Sequence, residues 1–164
     1  MAISLRLGGP GDIASALSVY ERSNLARRRG KWPSRAPRVK QVAAHLRDPS
    51  SWFIVGRDGD EDVAMALVSP FRAHRGAGEI VPGAAFLNLI YVLPDRWGEG
   101  IGSAVLDTVI EEAARRGCRQ IHLWTHERDN ERAQRLYLGR GFRRTGLVDR
   151  DEAGGQIAEW LHER

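Results

Sequence analysis

The feature that most constrains this sequence is the stretch from Asn88 to Gly117, NLIYVLPDRWGEGIGSAVLDTVIEEAARRG. An apolar run leads through a proline turn and alternating glycines into a segment whose apolar residues recur at helical spacing. This order predicts a buried strand that enters a long helix at Gly98, Gly100 and Gly102. Free backbone N–H groups and the positive end of the helix dipole then face one point. The stretch therefore predicts a binding site for an anion.

The glycine turn matches neither of the common nucleotide-binding motifs. Ser103 stands where the dinucleotide-binding fingerprint has its last glycine, and no Lys-Ser or Lys-Thr pair follows to complete a phosphate-binding loop. A flexible connector is the structural alternative. Each glycine just inside a helix costs about 1 kcal/mol in helix propensity, whereas a missing side chain lets a ligand approach the backbone. We therefore favour a ligand site over a connector.

Composition limits the class of protein. The 164 residues, 42% of them hydrophobic, fit one domain over residues 1–164. No apolar run approaches the roughly 20 residues of a membrane helix, and the N-terminal stretch lacks the apolar core of a signal peptide. Cys118 is the only cysteine, which excludes an internal disulfide and favours a reducing, cytoplasmic setting. The histidines lack ligand spacing, so we expect no metal site.

Hydrophobic patterns predict the order β-α-α-β-β-β-α-β-α-β-β. This order is a mixed α/β sheet of about seven strands with about four helices on its two sides. Only the segment Ala84–Thr125 predicts a parallel crossover unit. We expect the first helix to fray near Asn24, and we expect Pro70 to end its strand or to place it on an edge. The almost wholly apolar segment Ala84–Val92 should be buried on both faces.

A second segment of interest runs from Asn130 to Phe142, NERAQRLYLGRGF. Asn130, or Asp129 before it, is suited to cap a short helix whose apolar face carries Tyr137. Tyr137 is then a core aromatic residue or, where its hydroxyl reaches a polar cleft, a proton donor to a leaving group. The residues alone leave both alternatives open.

Together the two segments resemble the GNAT superfamily of acyl-CoA-dependent N-acyltransferases. The resemblance rests on Val92-x-Pro94-x-x-Trp97-Gly98-x-Gly100-Ile101-Gly102 and on Asn130-x-x-Ala133-x-x-Leu136-Tyr137-x-x-x-Gly141-Phe142. The order of strands and helices along the whole chain agrees with it. The resemblance implies a single GNAT-like domain whose central parallel strands are splayed apart to admit CoA, with acetyl-CoA as the cosubstrate.

The resemblance also implies roles for individual residues. Pantetheine would bind the exposed strand edge, and the diphosphate would rest on the glycine turn. The cofactor-binding residues expected on this basis are Ile90, Tyr91, Val92, Trp97, Gly98, Glu99, Gly100, Ile101, Gly102 and Asn130. Tyr137 matches the tyrosine that commonly protonates the departing CoA thiolate, so it is the expected general acid.

The chain departs from the family pattern near both segments. The residue before the first motif glycine is usually Arg or Gln, whereas here it is Trp97. Some members have a glutamate base late in the strand before Asn130, where this chain has Thr125. His126 and Glu127 are adjacent, but a shift by one residue turns a strand side chain to the other face. The general base is therefore left unassigned; a water chain, or an amine that arrives neutral, would replace it.

A basic segment runs from Arg27 to Lys40 and contains Trp32 but no acidic residue. In the family, the loop between the first two helices often borders the acceptor pocket. We therefore expect this segment to influence which acceptor binds, with Trp32 and its neighbouring cations clamping an acidic or aromatic substrate. A solvated loop is the alternative. A contact with nucleic acid has little support, because the segment contains no recognised nucleic-acid-binding motif.

We predict an N-acetyltransferase that moves an acetyl group from acetyl-CoA to a primary amine by direct attack. The acceptor, a small molecule or a protein amine, is not identified by the sequence, and no membrane partner is expected. A catalytically silent CoA-binding module is one alternative. A basic nucleic-acid-binding domain, which the net charge of +4 permits, is the other. A homodimer formed through the final strand is left open.

Overall fold

The structure, a computed structural model that describes residues 2–29 and 38–164, is a mixed sheet with helices packed against it. The strands are β1 (Ile3–Leu7), β2 (Trp52–Asp58), β3 (Glu61–Arg72), β4 (Ile80–Val92), β5 (Gln120–His126), β6 (Arg143–Arg150) and β7 (Gln156–Glu163). The helices are α1 (Ile13–Arg29), α2 (Val39–Arg47), α3 (Ile101–Arg115) and α4 (Glu131–Gly139). The strand order is β1-β2-β3-β4-β5-β7-β6, antiparallel except for β4 and β5. The predicted mixed α/β architecture is confirmed.

Strand β3 lies at the centre of the core. Its residues 63–68 are at most 1% exposed, so both faces of the strand are covered. Helices α1 and α3 both contact it. The residues of α3 that repeat at helical spacing, Ile101, Val105, Val109 and Ala113, are buried as the amphipathic pattern predicts. Packing of this stripe fixes where the N-terminus of α3 stands relative to the sheet.

Strands β4 and β5 separate after a short stretch of pairing. Hydrogen bonds join residues 84–86 of β4 to residues 120–122 of β5, whereas the strands themselves continue to Val92 and His126. A register shift between β3 and β4 next to Leu67 accompanies the separation. The splay expected between the central parallel strands is therefore present.

Some expectations from local sequence were wrong because tertiary packing decided otherwise. Helix α1 continues past Asn24, which is only 1% exposed, so the helix is held against the core where fraying was expected. Residues 88–92 of β4 are only half-buried, because β5 has moved away from them. Strand β3 continues through Pro70 to Arg72. Val68 is the last residue of β3 that pairs with β2, and Pro70 lies beyond it. On the β2 side Pro70 is therefore at an edge, as expected, and its missing N–H removes no hydrogen bond between β2 and β3.

The edges of the sheet and the lengths of the helices limit how the chain can meet partners. The final strand, β7, lies between β5 and β6, and both of its edges are paired. Pairing of the final strand with a second copy would therefore require β7 to leave β6. Within residues 2–29 and 38–164, no helix combines the length and the apolar character needed to span a bilayer.

Asp12 ties the first strand to the first helix. Arg6 donates hydrogen bonds to both carboxylate oxygens, at 2.8 and 2.6 Å, and the N–H of Gly9 donates to Oδ2 at 2.8 Å. These hydrogen bonds, with that of Arg6 the largest, lower the pKa of Asp12 to about 2. The charged carboxylate therefore stabilises the turn from β1 into α1.

Replacing Asp12 with Asn should lower the free energy of unfolding at neutral pH by about 1 kcal/mol, the usual size for a hydrogen-bonded but solvent-accessible ion pair. Folding lowers the pKa of this group, so its contribution is complete above the ordinary value of 3.8 and is lost as the pH falls through about 2. Urea unfolding followed from neutral to acidic pH should show the two proteins converging. Asp60→Asn, at an exposed turn position, is the control and should match the parent throughout.

Candidate active site

The glycine turn lies immediately before helix α3. Gly98 and Gly100 adopt positive φ angles of 85° and 81°, which residues with a side chain rarely adopt. Because α3 begins at Ile101, only Gly102 lies inside the helix, and the expectation that all of these glycines lie just inside it was wrong. A Cβ on Gly98 or Gly100 would meet no atom within 4 Å. The turn therefore needs glycine for its backbone conformation and also leaves open space above its backbone.

The N-terminus of α3 presents backbone donors that the helix does not use. Its first hydrogen bond runs from the N–H of Ala104 to the C=O of Gly100, at 3.2 Å. The N–H groups that precede Ala104 have no partner within the helix, as at every helix start. Together with the positive end of the dipole they favour an anion. The backbone geometry that an anion site requires is thus present at this turn.

A cleft of about 790 Å³ opens between the separated ends of β4 and β5, with α4 as a further wall. Among the residues expected to bind the cofactor, those that line it are Ile90, Tyr91, Val92, Trp97, Gly98, Gly100, Ile101, Gly102 and Asn130. Tyr137 lines it as well. Glu99 does not, because its carboxylate is directed to Arg96, whose Nε donates to it at 2.8 Å. Two segments far apart in the chain therefore meet at one cleft.

Arg96 holds the glycine turn against the β2–β3 hairpin. Its guanidinium donates to Glu99 and Asp58 at 2.8 Å each, and to Glu61 at 3.4 Å. The hydrogen bond with Glu99, followed by that with Asp58, raises the pKa of Arg96 above its usual value. Because its side chain is only 14% exposed, the guanidinium is largely enclosed by these carboxylates. Arg96 therefore anchors the turn.

The indole ring of Trp97 contacts a cation at the cleft, and local sequence does not indicate this contact. Its Nε1 donates to the C=O of Val92 at 3.0 Å, which fixes the indole ring beside the turn. The guanidinium of Arg132, from α4, lies 5.0 Å from the centroid of that ring. Arg132 also lines the cleft. A stacked arginine from another helix thus lies beside Trp97, at the position where the resemblance leads us to expect Arg or Gln.

Asn130 joins the end of β5 to the start of α4. Its side chain is 8% exposed, and Nδ2 donates to Oγ1 of Thr125 at 2.6 Å and to the C=O of His126 at 3.1 Å. It occupies the N-cap position of α4 but makes no side-chain capping bond, contrary to the expectation of a cap. Asn130 therefore fixes the wall of the cleft at the point where β5 ends.

Tyr137 lies in α4, is 6% exposed and lines the cleft. Its ring packs against Phe142 and Trp160, with centroid distances of 5.9 and 6.2 Å. Tyr137 is thus a core aromatic residue that also lines the cleft, while its role as a proton donor stays a prediction. Packing on two aromatic neighbours holds the ring in place at the cleft wall.

The end of β5 also carries a histidine–carboxylate pair. His126 Nε2 lies 2.7 Å from Oδ2 of Asp151, in the turn between β6 and β7. Burial alone would raise the pKa of Asp151, but hydrogen bonds from His126 and from the N–H of Gly155 outweigh burial and lower it. His126 and Thr125 both line the cleft, so the strand alternation that set His126 aside was misleading where β5 has lost its neighbour.

This pair does not form part of a metal site. Over residues 2–29 and 38–164, no group of three or more His, Cys, Asp and Glu side chains is placed to hold a metal ion. Sequence reasoning missed Asp151 altogether, because its partner His126 lies far away in the chain. The only local signal was a polar residue, Asp151, at the start of a glycine-containing turn.

A second cavity of about 620 Å³ adjoins the cleft. Asn88, Leu89, Tyr91 and Trp124 line both spaces. These residues belong to β4 and β5 beyond the point at which the strands stop pairing. The separation of the strands therefore connects two cavities rather than opening one.

Most of the basic segment Arg27–Lys40, including Trp32, lies outside the described residues. Arg38 is described, and it lines the second cavity. Its backbone N–H donates to the hydroxyl of Tyr20 at 3.2 Å, and its guanidinium pairs with Glu152. The end of the basic segment thus reaches the second cavity, while the influence of the whole segment on acceptor choice stays a prediction.

Comparison with known proteins identifies the family. The sequence model of the acetyltransferase (GNAT) family matches residues 17–142, which include both the glycine turn and the segment that carries Tyr137. The chain belongs to this family. It is also 36% identical, over 70 residues, to an uncharacterized N-acetyltransferase of Archaeoglobus fulgidus, and the match spans 43% of this chain and 43% of that protein.

Solved structures show the same fold. A GCN5-related N-acetyltransferase from Kribbella flavida superposes with a TM-score of 0.75 and 22% identity, covering 99% of this chain and 98% of that chain. The PaiA N-acetyltransferase from Thermoplasma acidophilum, solved in complex with coenzyme A, superposes with a TM-score of 0.69 and 16% identity over 100% of both chains. At 22% and 16% sequence identity, the similarity to these structures supports the fold alone.

If the turn holds the diphosphate of CoA, as the resemblance implies, Gly100→Ala should weaken CoA binding roughly tenfold or more, because a Cβ would enter the open space above the backbone. It should also cost about 1 kcal/mol of stability, since alanine is strained at positive φ. Gly117→Ala is the matched control: Gly117 has the same φ of 81°, open surroundings, and lies at the other end of α3.

Calorimetric titration with CoA and urea unfolding would measure both effects. The two variants should lose similar stability, and only Gly100→Ala should lose CoA affinity. Equal CoA affinity in both variants would show that the ligand does not approach this turn.

Proposed function

We propose that this protein is an acetyl-CoA-dependent N-acetyltransferase that acts on an amine. The observation that carries the proposal is the cleft between β4 and β5, which runs from the glycine turn to a second cavity. Membership of the acetyltransferase (GNAT) family supports it, and so does the fold shared with a relative solved in complex with coenzyme A.

In this proposal CoA lies along the exposed side of β4. Residues 90–92 are beyond the last pair with β5, so no strand covers this edge where the amides of pantetheine would bind, although the C=O of Val92 already accepts from Trp97 Nε1. The diphosphate occupies the start of α3, with Gly98 to Gly102 supplying N–H groups and open space. Trp97 and Asn130 line the path between these parts, and Arg132 adds positive charge near the phosphates.

The amine would enter through the second cavity and meet the thioester where the two spaces join. Its nitrogen attacks the thioester carbonyl carbon directly, a C–N bond forms, and the C–S bond breaks. A backbone N–H of residues 90–92 is suited to stabilise the developing oxyanion. The departing thiolate takes a proton from Tyr137, and the nitrogen gives up one proton, for which the His126–Asp151 pair is the chemically suited acceptor in the cleft.

The competing proposals are a catalytically silent CoA-binding module and a nucleic-acid-binding domain. Family membership and the position of Tyr137 in the cleft favour an enzyme over both. Incubation with acetyl-CoA and a mixed amine panel, read by release of free thiol, separates the first rival from the enzyme. Retention on DNA or RNA that falls steeply with salt, without a thermal shift on adding CoA, would favour the second.

The cellular location and the oligomeric state of the protein are further proposals. The lone cysteine, Cys118, agrees with a reducing, cytoplasmic environment. A homodimer is compatible with the exposed edge strand β6 as well as with the final strand, although β7 is already paired on both sides. Sedimentation or size-exclusion measurements of the purified protein would determine its association state.

Tyr137→Phe should lower turnover by on the order of 100-fold, because a positioned general acid typically contributes that much or more. Affinity for acetyl-CoA should persist, since the phenyl ring keeps the packing on Phe142 and Trp160. Steady-state thiol release, calorimetric titration with CoA and thermal unfolding of the same preparation would separate chemistry from binding and folding. Unchanged turnover would remove Tyr137 from the mechanism.

A further inference from the structure

The second cavity, called the acceptor cavity below, combines a broad apolar wall with a cluster of cations. The aromatic and aliphatic residues that form its wall include Tyr20, Val42, Phe71, Phe86, Leu89 and Trp124. The charged or titratable side chains that line it are Arg38, Arg72, Arg75, His45 and Asp48. Among the described residues that line the cavity, arginines thus outnumber the single carboxylate, which is unusual for a cavity that would have to receive a cationic amine.

Arg75 is held at the entrance to the reaction centre. Its guanidinium lies 4.8 Å from the centroid of Trp124, one of the residues that line both spaces. The backbone of Arg75 has a φ angle of 54° and that of His74 one of 51°, a region that non-glycine residues rarely adopt. Neighbouring contacts must maintain this conformation, and its effect is to place the guanidinium against Trp124.

The carboxylate partners of these arginines are weakly held. Arg75 pairs with Asp149 and Arg38 pairs with Glu152, and the two acidic side chains are 49% and 77% exposed. Such solvent-exposed ion pairs contribute little to stability, because water screens the charges. A carboxylate on a bound ligand can therefore replace either acid at little cost.

Arg72 offers a further cation. Its Nη1 donates to the C=O of Gly78 at 3.4 Å, and within residues 2–29 and 38–164 no carboxylate lies in ion-pair range of it. Asp48, which also lines the cavity, accepts hydrogen bonds from the backbone N–H and hydroxyl of Ser50, at 2.9 and 2.8 Å. These hydrogen bonds lower the pKa of Asp48, so among the described lining residues one negative charge stands against three arginines.

We infer that the acceptor cavity is built for an amine that carries a carboxylate next to an apolar or aromatic body. The inference rests on the proposed function and specifies its substrate class. Arginine binds a carboxylate through two parallel hydrogen bonds, while the aromatic wall takes the apolar body. The same cations lower the pKa of a bound ammonium group, so the amine reaches the thioester in its neutral, nucleophilic form more readily. Polyamines, with a second positive charge, are disfavoured.

Matched acceptors test the inference directly. Phenylalanine and 2-phenylethylamine share the same apolar body and differ by a carboxylate. 4-Aminobutyrate, butylamine and putrescine share a four-carbon chain that ends in an anion, a methyl group or a second cation. With acetyl-CoA and thiol release, kcat/KM for at least one carboxylated amine should exceed that for its neutral partner by about tenfold or more, with putrescine lowest. Equal or greater kcat/KM for the neutral or dicationic amines would overturn the inference.

Variants show whether the arginines cause the preference. Arg75→Gln and Arg72→Gln should reduce the carboxylate preference towards unity, mainly by raising KM for the carboxylated amine. Arg115→Gln is the matched control, because Arg115 is 67% exposed and pairs with Glu112 on the outer part of α3. Thermal unfolding of each variant separates loss of the preference from loss of folding. An unchanged preference in folded Arg75→Gln and Arg72→Gln proteins would contradict the inference.

Failure of the proposed acetyl transfer can be distinguished from failure of the inferred substrate class. If CoA binds but neither this series nor the mixed amine panel releases thiol, the acetyl transfer itself is refuted. Calorimetric titration of the CoA-loaded protein with phenylalanine and with 2-phenylethylamine then decides the inference on binding alone. Tighter binding of phenylalanine, lost in Arg75→Gln, supports the cavity's selectivity; equal binding rejects it.

Discussion

Strands β4 and β5 share hydrogen bonds over residues 84–86 and 120–122 and then part, and both cavities exist because of that parting. Each strand can separate because it is held on its other side, β4 by β3 as far as Val92 and β5 by β7 as far as His126. The backbone groups facing the gap lose their strand partners and must bond to side chains, to water or to a ligand, as the C=O groups of Val92 and His126 do with Trp97 and Asn130. A gap of this kind is therefore a ready binding edge for a molecule that carries amides.

The parting also explains why residues from distant segments meet. Helix α3 starts where β4 ends, and Arg96 fastens the intervening turn to the β2–β3 hairpin through Asp58, Glu61 and Glu99. Helix α4 starts where β5 ends, and Asn130 fastens that junction through Thr125 and His126. Two strand-to-helix junctions are thus clamped by separate hydrogen-bond networks on either side of one cleft. This arrangement keeps the cleft open without requiring a ligand to hold its walls apart.

Positively charged side chains lie at both ends of the space formed by the cleft and the acceptor cavity. Arg132, stacked on Trp97, stands near the helix N-terminus, and Arg38, Arg72 and Arg75 line the acceptor cavity. The net charge of +4 allows nucleic acid, a phosphorylated cofactor and acidic substrates equally well. Only the positions of the arginines distinguish these partners, because electrostatic recognition depends on the charges that converge on one site.

Local patterns were enough to predict the mixed sheet, the long helix, the glycine turn and the Tyr137 segment, since each depends on periodicity or on residue types at short spacing. They did not predict that α1 would run past Asn24 or that His126 would line the cleft beside Asp151. Those outcomes depend on burial and on which strand edges are paired. The sequence by itself determined the elements and the glycine turn at the start of α3, whereas the tertiary structure alone decided which distant side chains face each other, because packing brings together residues that no local spacing relates.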